Sequence, residues 1–175
     1  VWDTPPGDLR VQNEQILLGL GADPQSVDRF LRHPWYSLTL QSRLTRSLER
    51  MPRTEGRADL MPLALSVRSF DQARFVVDSV AMLADCHQSR QPISRLEVAG
   101  TVWGHTARGI VVAAPAEGIS WSADLNRFAR RDEFKAAPQR LLLVRGNVTA
   151  KARQELAALG WTVEEGVQSD LKSEP

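Results

Sequence analysis

The chain has 175 residues, 42% of them hydrophobic, with 22 basic against 21 acidic side chains and a formal net charge of +1. That length and composition suit one sizeable core, and the balance of charge excludes both an acidic disordered chain and a surface coated in one sign. The single Cys86 excludes an internal disulfide framework and a cysteine-based zinc site, and no apolar run of about 18 residues is present to span a bilayer.

Val1 to Asp8, with Pro5-Pro6-Gly7, reads as an extended lead-in. Because the chain starts at Val1 rather than Met, a processed or trimmed N-terminus is expected. A processed one would imply a periplasmic or exported protein, and otherwise the cytoplasm is expected. Only three of the basic residues are lysine and alanine is abundant, which points to a GC-rich bacterial genome.

Ile16, Leu17, Leu18 and Leu20 suggest a short helix over 9–20, ended by Gly21. Asp23-Pro24 has the form of an N-cap with proline at the first helical position, and it opens a second helix through Val27, Phe30 and Leu31 that His33-Pro34 breaks. In a third helix Leu40, Leu44, Leu48 and Met51 share one face. Pro52 ends it, and Arg53 to Asp59 reads as a linker. The expected organisation is a helical N-terminal segment (1–53), an α/β domain (60–167) and a polar tail (168–175), together one compact unit.

Leu60 to Val67 reads as a strand, with Pro62 confined to its start or to an edge. Ser69 to Ser89 is the most strongly patterned stretch. Phe70, Ala73, Val77, Val80, Ala84 and His87 recur at helical spacing, widened by Val76 and Leu83, and Ser69 with Gln72 has the form of a capping box. After Pro92, Ile93 to Val102 predicts a strand. The stretch 104–109 then predicts a turn into Ile110 to Ala114, a hairpin in which Gly104 and Gly109 supply unusual backbone angles. Ser120 to Arg131 predicts a helix with Ser120 as cap and Trp121, Leu125 and Phe128 facing inward. Last comes Leu141 to Val144, a turn, the helix Thr149 to Leu159 closed by Gly160, and the strand Trp161 to Val163, a βαβ unit. Two strand-helix-strand units with a hairpin between them predict the α/β class, with α+β as the neighbouring possibility: a helix-covered mixed sheet carrying a helical N-terminal segment.

The motifs that would carry catalysis are incomplete. His33, His87 and His105 have no metal-ligand spacing; His87 fits a core or helix-end role and His105 an exposed turn. Gly118-Ile119-Ser120-Trp121-Ser122 lacks the second glycine of a nucleophile elbow. Arg145-Gly146-Asn147-Val148-Thr149 joins a strand to a helix start, where anions bind, yet holds one glycine only. No metal or cofactor is expected, and a non-enzymatic role is favoured.

Charge is uneven in the N-terminal third. Residues 1–28 hold one Arg and five acids, whereas residues 29–57 hold seven Arg and two Glu. Arg43, Arg46 and Arg50 fall at i, i+3 and i+7 opposite the leucine face, with Trp35 and Tyr36 just upstream. Exposed aromatics beside arginine are common anchors of protein interfaces, so these five residues form the candidate partner-binding site. Of the five tryptophans, Trp121 and Trp161 fit the core, and Trp2, Trp35 and Trp103 sit at breaks where partial exposure is expected. The leading expectation is a non-catalytic bacterial protein-interaction or accessory domain. The alternatives are nucleic-acid binding through the basic helix 38–51 and a small-molecule α/β enzyme whose site converges from distant residues.

Overall fold

Capping residues set the N-terminal helices. In the computed structural model, which describes residues 5–168, the first helix α1 (Pro6–Gly19) takes in part of the stretch expected to be extended. Proline is well suited to a first helical turn, where its missing N–H costs nothing. Trp2 and the tail beyond Gln168 lie outside the described residues. Asp23 caps α2 (Pro24–Leu31) by accepting from the Ser26 N–H. Ser37 caps α3 (Leu38–Glu49), whose Leu40, Leu44 and Leu48 are buried along with Met51 beyond it. Between α1 and α3 lies a buried polar network. Asn13 donates to Ser42 Oγ at 3.0 Å and accepts from Thr45 Oγ1 at 2.9 Å, which satisfies groups that would otherwise be costly to bury.

Leu60 to Val67 is not a strand. A 3-10 turn at Ala58–Leu60 runs into α4 (Met61–Ser66), with Pro62 in its first turn. An apolar run without alternation fits a buried helix as well as a buried strand, and proline tolerated in a first helical turn decides between them here. The stretch read as a linker is bound to the sheet. Thr54 Oγ1 donates to the Ile93 carbonyl at 2.7 Å, and Glu55 pairs its backbone with Ser94 and Leu96.

The long helix α5 (Phe70–Ser89) starts where its cap predicts. Ser69 accepts from the Gln72 N–H, and the Gln72 side chain returns to the Arg68 N–H, one residue before the position a capping box would give it. Its burial is broader than one stripe. Every residue from Val76 to Cys86 is buried, because α5 lies between the sheet and the outer helices. Phe70, expected on the apolar face, is 48% exposed in the first turn.

The strands are β1 (Ile93–Val98), β2 (Val102–Thr106), β3 (Gly109–Ala114), β4 (Gly118–Ile119), β5 (Gln139–Val144), β6 (Asn147–Val148) and β7 (Trp161–Glu164). The main sheet has the order β1-β2-β3-β5-β7. Its first three strands form an antiparallel meander, and β3, β5 and β7 run parallel. The short β4 and β6 pair in parallel beside it. The single strand expected over 93–102 is therefore two strands turning at 99–101, and the turn expected at 104–109 is confined to Ala107-Arg108. Gly104 is an ordinary strand residue; it is glycine because a Cβ there would meet the Ile93 side chain at 2.9 Å. No strand precedes α5, so of the two expected strand-helix-strand units only the C-terminal one exists.

On the other face lie α6 (Ala123–Ala129), α7 (Asp132–Lys135) and α8 (Ala150–Ala158). Ser122 caps α6, in place of the expected Ser120, and Thr149 caps α8. Strand alternation then divides the core. Val111, Ala113, Leu141 and Leu143 face α5, whereas Ile110, Val112, Leu142 and Val144 face α6 to α8. Trp103, expected at a partly exposed break, is fully buried against Phe134, ring centroids 5.1 Å apart and edge to face, because β2 continues through it. Trp161 is buried as expected, and Trp121 is half-buried at the margin of the same cluster. The fold is mixed α/β with helices on both faces of the sheet. Among the described residues no helix is long and apolar enough to cross a membrane.

Candidate functional site

The arginine stripe of α3 meets an aspartate stripe on α5. Arg43 and Arg50 stand seven residues apart, as do Asp78 and Asp85. The Arg43 guanidinium lies 3.1 Å from Asp78 Oδ1, and that of Arg50 lies 2.5 Å from Asp85 Oδ1. Matching spacing in the same order means that α3 and α5 pack parallel, in one register. Arg50 also donates to Gln88 Oε1 from Nε and from a terminal nitrogen. Two of the three expected partner-binding arginines thus hold the outer helix to the central one. Arg46 faces solvent.

The two aromatics of the expected site part company. Tyr36 is buried, its hydroxyl donates to the Ala64 carbonyl at 2.9 Å, and burial pushes its phenol well above the usual tyrosine range. Its ring packs against Phe30 and His33. Trp35, next to it, remains 40% exposed. Tyr36 therefore anchors the loop that presents Trp35. On α5, Phe70 and Phe75 stand in the first two turns, 48% and 44% exposed.

Asp78 gathers more than one cation. Besides Arg43, its carboxylate is approached by Arg145 at 3.0 Å, from the loop after β5, and by Arg74 at 3.7 Å, from the preceding turn of α5. Sequence reading left Asp78, Asp85, Arg74 and Arg145 out of the site. The available signal was the repeat itself, since two acids seven apart within the apolar middle of one helix complement arginines seven apart on another.

The loop considered as a phosphate cradle is closed by its own chain. The backbone N–H groups of Arg145, Gly146, Asn147 and Thr149 donate to the carbonyls of Ala114, Ala116, Glu117 and Ile119, and Val148 donates to the Glu165 carboxylate. Gly146 is required here because a Cβ would fall 1.9 Å from the Glu117 carbonyl oxygen. The hydrogen bond from Val148, and next the one from Arg153, hold the Glu165 carboxyl below the usual glutamate range. A pKa lower in the folded than in the unfolded chain stabilises at pH above the ordinary glutamate value, about 4.3, and that stabilisation is lost as pH falls through the folded value. Glu165→Gln is therefore expected to be less stable than wild type near neutrality and to converge with it in acid. Urea unfolding followed across pH would show a constant difference if Glu165 were not held this way.

The remaining titratable groups have local explanations. His87 Nδ1 accepts from the Ile93 N–H at 3.0 Å, as a helix-end histidine does. His105 lies within β2 rather than in a turn, and pairs at 2.5 Å with Glu97 on β1, which Arg95 also reaches. Cys86 is buried, and burial pushes its thiol up. It lines a cavity of about 330 Å³ between the second half of α5 and the segment after β7, with Met82, Leu143 and Val167 as apolar walls and Asp85 and Arg90 at the polar side. Asp85 is held by Arg50 and Arg90 by Glu164, so both charges are already answered. Among the described residues no three His, Cys, Asp or Glu side chains gather as metal ligands would.

No family model matches the sequence, and comparison with curated proteins and with solved structures yields no match.

Proposed function

We propose that the chain is a non-catalytic protein-interaction domain, and that its partner docks where α3 and α5 begin. The supporting observation is Trp35. It is a large aromatic side chain left exposed on a loop that the buried Tyr36 fixes in place just ahead of α3, and Phe70, in the first turn of the parallel α5, is exposed as well. Aromatic side chains on a rigid frame lose little entropy on binding and are over-represented among the residues that dominate interface energies. The solvent-facing Arg74 adds charge at this end, and the solvent-facing Arg46 lies further along α3, in its last turn. Of the expected five-residue site, Trp35 and Arg46 remain as contacts, and Tyr36, Arg43 and Arg50 become its frame. The same arrangement weighs against nucleic-acid binding by α3, because Arg43 and Arg50 are engaged by aspartates and Arg46 alone of the three is left to face phosphates.

A photo-crosslinking amino acid at position 35, introduced in the cells that make the protein, should yield a discrete adduct. The same probe at exposed Lys151, on α8, should not. Trp35→Ala with Phe70→Ala should weaken the captured interaction by about 2 kcal/mol or more, the usual cost of losing a hot-spot aromatic, while leaving thermal unfolding nearly unchanged. Identical adducts from both positions, or capture unaffected by the double substitution, would overturn the reading.

A further inference from the structure

We propose that the cavity between the second half of α5 and the segment after β7 binds a small uncharged molecule with an aromatic body and a hydrogen-bonding edge. At about 330 Å³ it stands at the small end of the range that holds ligands. Its walls come from three separate stretches of chain: α5, β5 and residues 165–168. The last of these is fixed in place. The Gly166 N–H donates to the Gly146 carbonyl at 3.1 Å and the Val167 N–H to the Val144 carbonyl at 3.0 Å, and Gly166 makes the turn at φ +66°. The cavity therefore has a defined shape. It lies beside the carboxyl ends of the parallel strands β5 and β7, the side on which open α/β sheets take their ligands.

The lining selects the ligand by charge. Three ionised residues among those described line the cavity, and each already has its counter-ion: Asp85 has Arg50, Arg90 has Glu164 and Glu165 has Arg153. A charged ligand would enter with no opposite charge left to meet it, and an unpaired charge taken out of water is costly. An uncharged one leaves the three pairs as they are. Met82, Leu143 and Val167 offer apolar contact, and Cys86, whose thiol burial keeps protonated, adds a second soft sulfur. Sulfur packs favourably against aromatic rings, and the methionine side chain adapts to their outline. Uncharged groups meet the ligand's hydrogen-bonding edge. Gln168 brings an amide that both donates and accepts, and the Ser89 hydroxyl, which gives its proton to the Asp85 carbonyl, keeps lone pairs to accept.

The probe is indole-3-acetamide, set against indole-3-acetate, which has nearly the same shape and a negative charge, and tryptamine, which has a positive one. Binding is read from the methyl signals of protein labelled with ¹³C-methyl methionine. Met82 alone of the three methionines lines the cavity, so its signal should shift saturably with the acetamide, with a Kd below about 1 mM, while those of Met51 and Met61 stay still. Both charged relatives should bind at least about tenfold more weakly. Ser89→Phe, which builds into the cavity from an exposed position, should lower the affinity at least about tenfold and leave the fold intact. No saturable Met82 shift, equal or tighter binding of either charged relative, or undiminished binding by Ser89→Phe would each overturn the proposal. So would binding that appears only when residues 169–175 are deleted, because the cavity would then belong to the chain's own end.

Discussion

Val80→Asp is expected to leave no cooperatively folded protein at neutral pH. Val80 has no exposed surface and sits in the stretch of α5 that is buried all round, with sheet on one side and α3 on another. A carboxyl placed there stays charged at great cost or becomes neutral through a pKa rise of up to about 3–5 units, and at about 1.4 kcal/mol per unit that is roughly 4–7 kcal/mol. The lost valine burial adds about 1.5–3 kcal/mol. The sum rivals the whole net stability of a typical domain, about 5–15 kcal/mol. Val80→Ala, which removes methyl groups without adding charge, should cost about 2 kcal/mol and keep its cooperativity. Urea unfolding followed by circular dichroism separates the two, and a soluble Val80→Asp protein with a wild-type midpoint would remove α5 from the centre of the molecule.

Arg50→Met should destabilise by about 3 kcal/mol, near the lower end of what losing one member of a buried ion pair costs. The substitution leaves Asp85, 9% exposed at its side chain, without the guanidinium that holds it. Adding Asp85→Leu should recover most of the loss, because a well-packed apolar pair replaces a buried ion pair at little net cost. Arg46→Met, on the exposed side of the same helix, should stay within about 0.5 kcal/mol of wild type. A binding surface made of all three arginines would give the opposite pattern, with small and similar stability effects for each.

Local signals made much of this fold legible. Asp23-Pro24, Ser69 with Gln72, the Leu40 to Met51 face and the Leu141 to Val163 unit each declare themselves within a few residues, through capping oxygens, proline and period. What escaped needed the third dimension. Leu60 to Val67 carries no period that separates a buried helix from a buried strand, and only its packing settles it. The turn at 99–101 hides inside a run that reads as continuous strand. Among the candidate contacts, Trp35 was visible as an aromatic at a break, but nothing within α3 reveals that Arg43 and Arg50 face inward. Their orientation is set by Asp78 and Asp85, which are distant in sequence and buried on a helix whose composition suggests an uncharged core.

Glu55 gives the chain a means of staying apart from its own copies. A bare outer strand offers unpaired N–H and C=O groups to any other extended chain, and Glu55 uses that edge of β1 at Ser94 and Leu96. The opposite edge, β7, is only four residues long and ends on Glu164, which is tied to Arg90. Residues 54–57 therefore act as a selvedge on the sheet, and loosening them would show first in association and precipitation at high concentration, before any change in melting temperature.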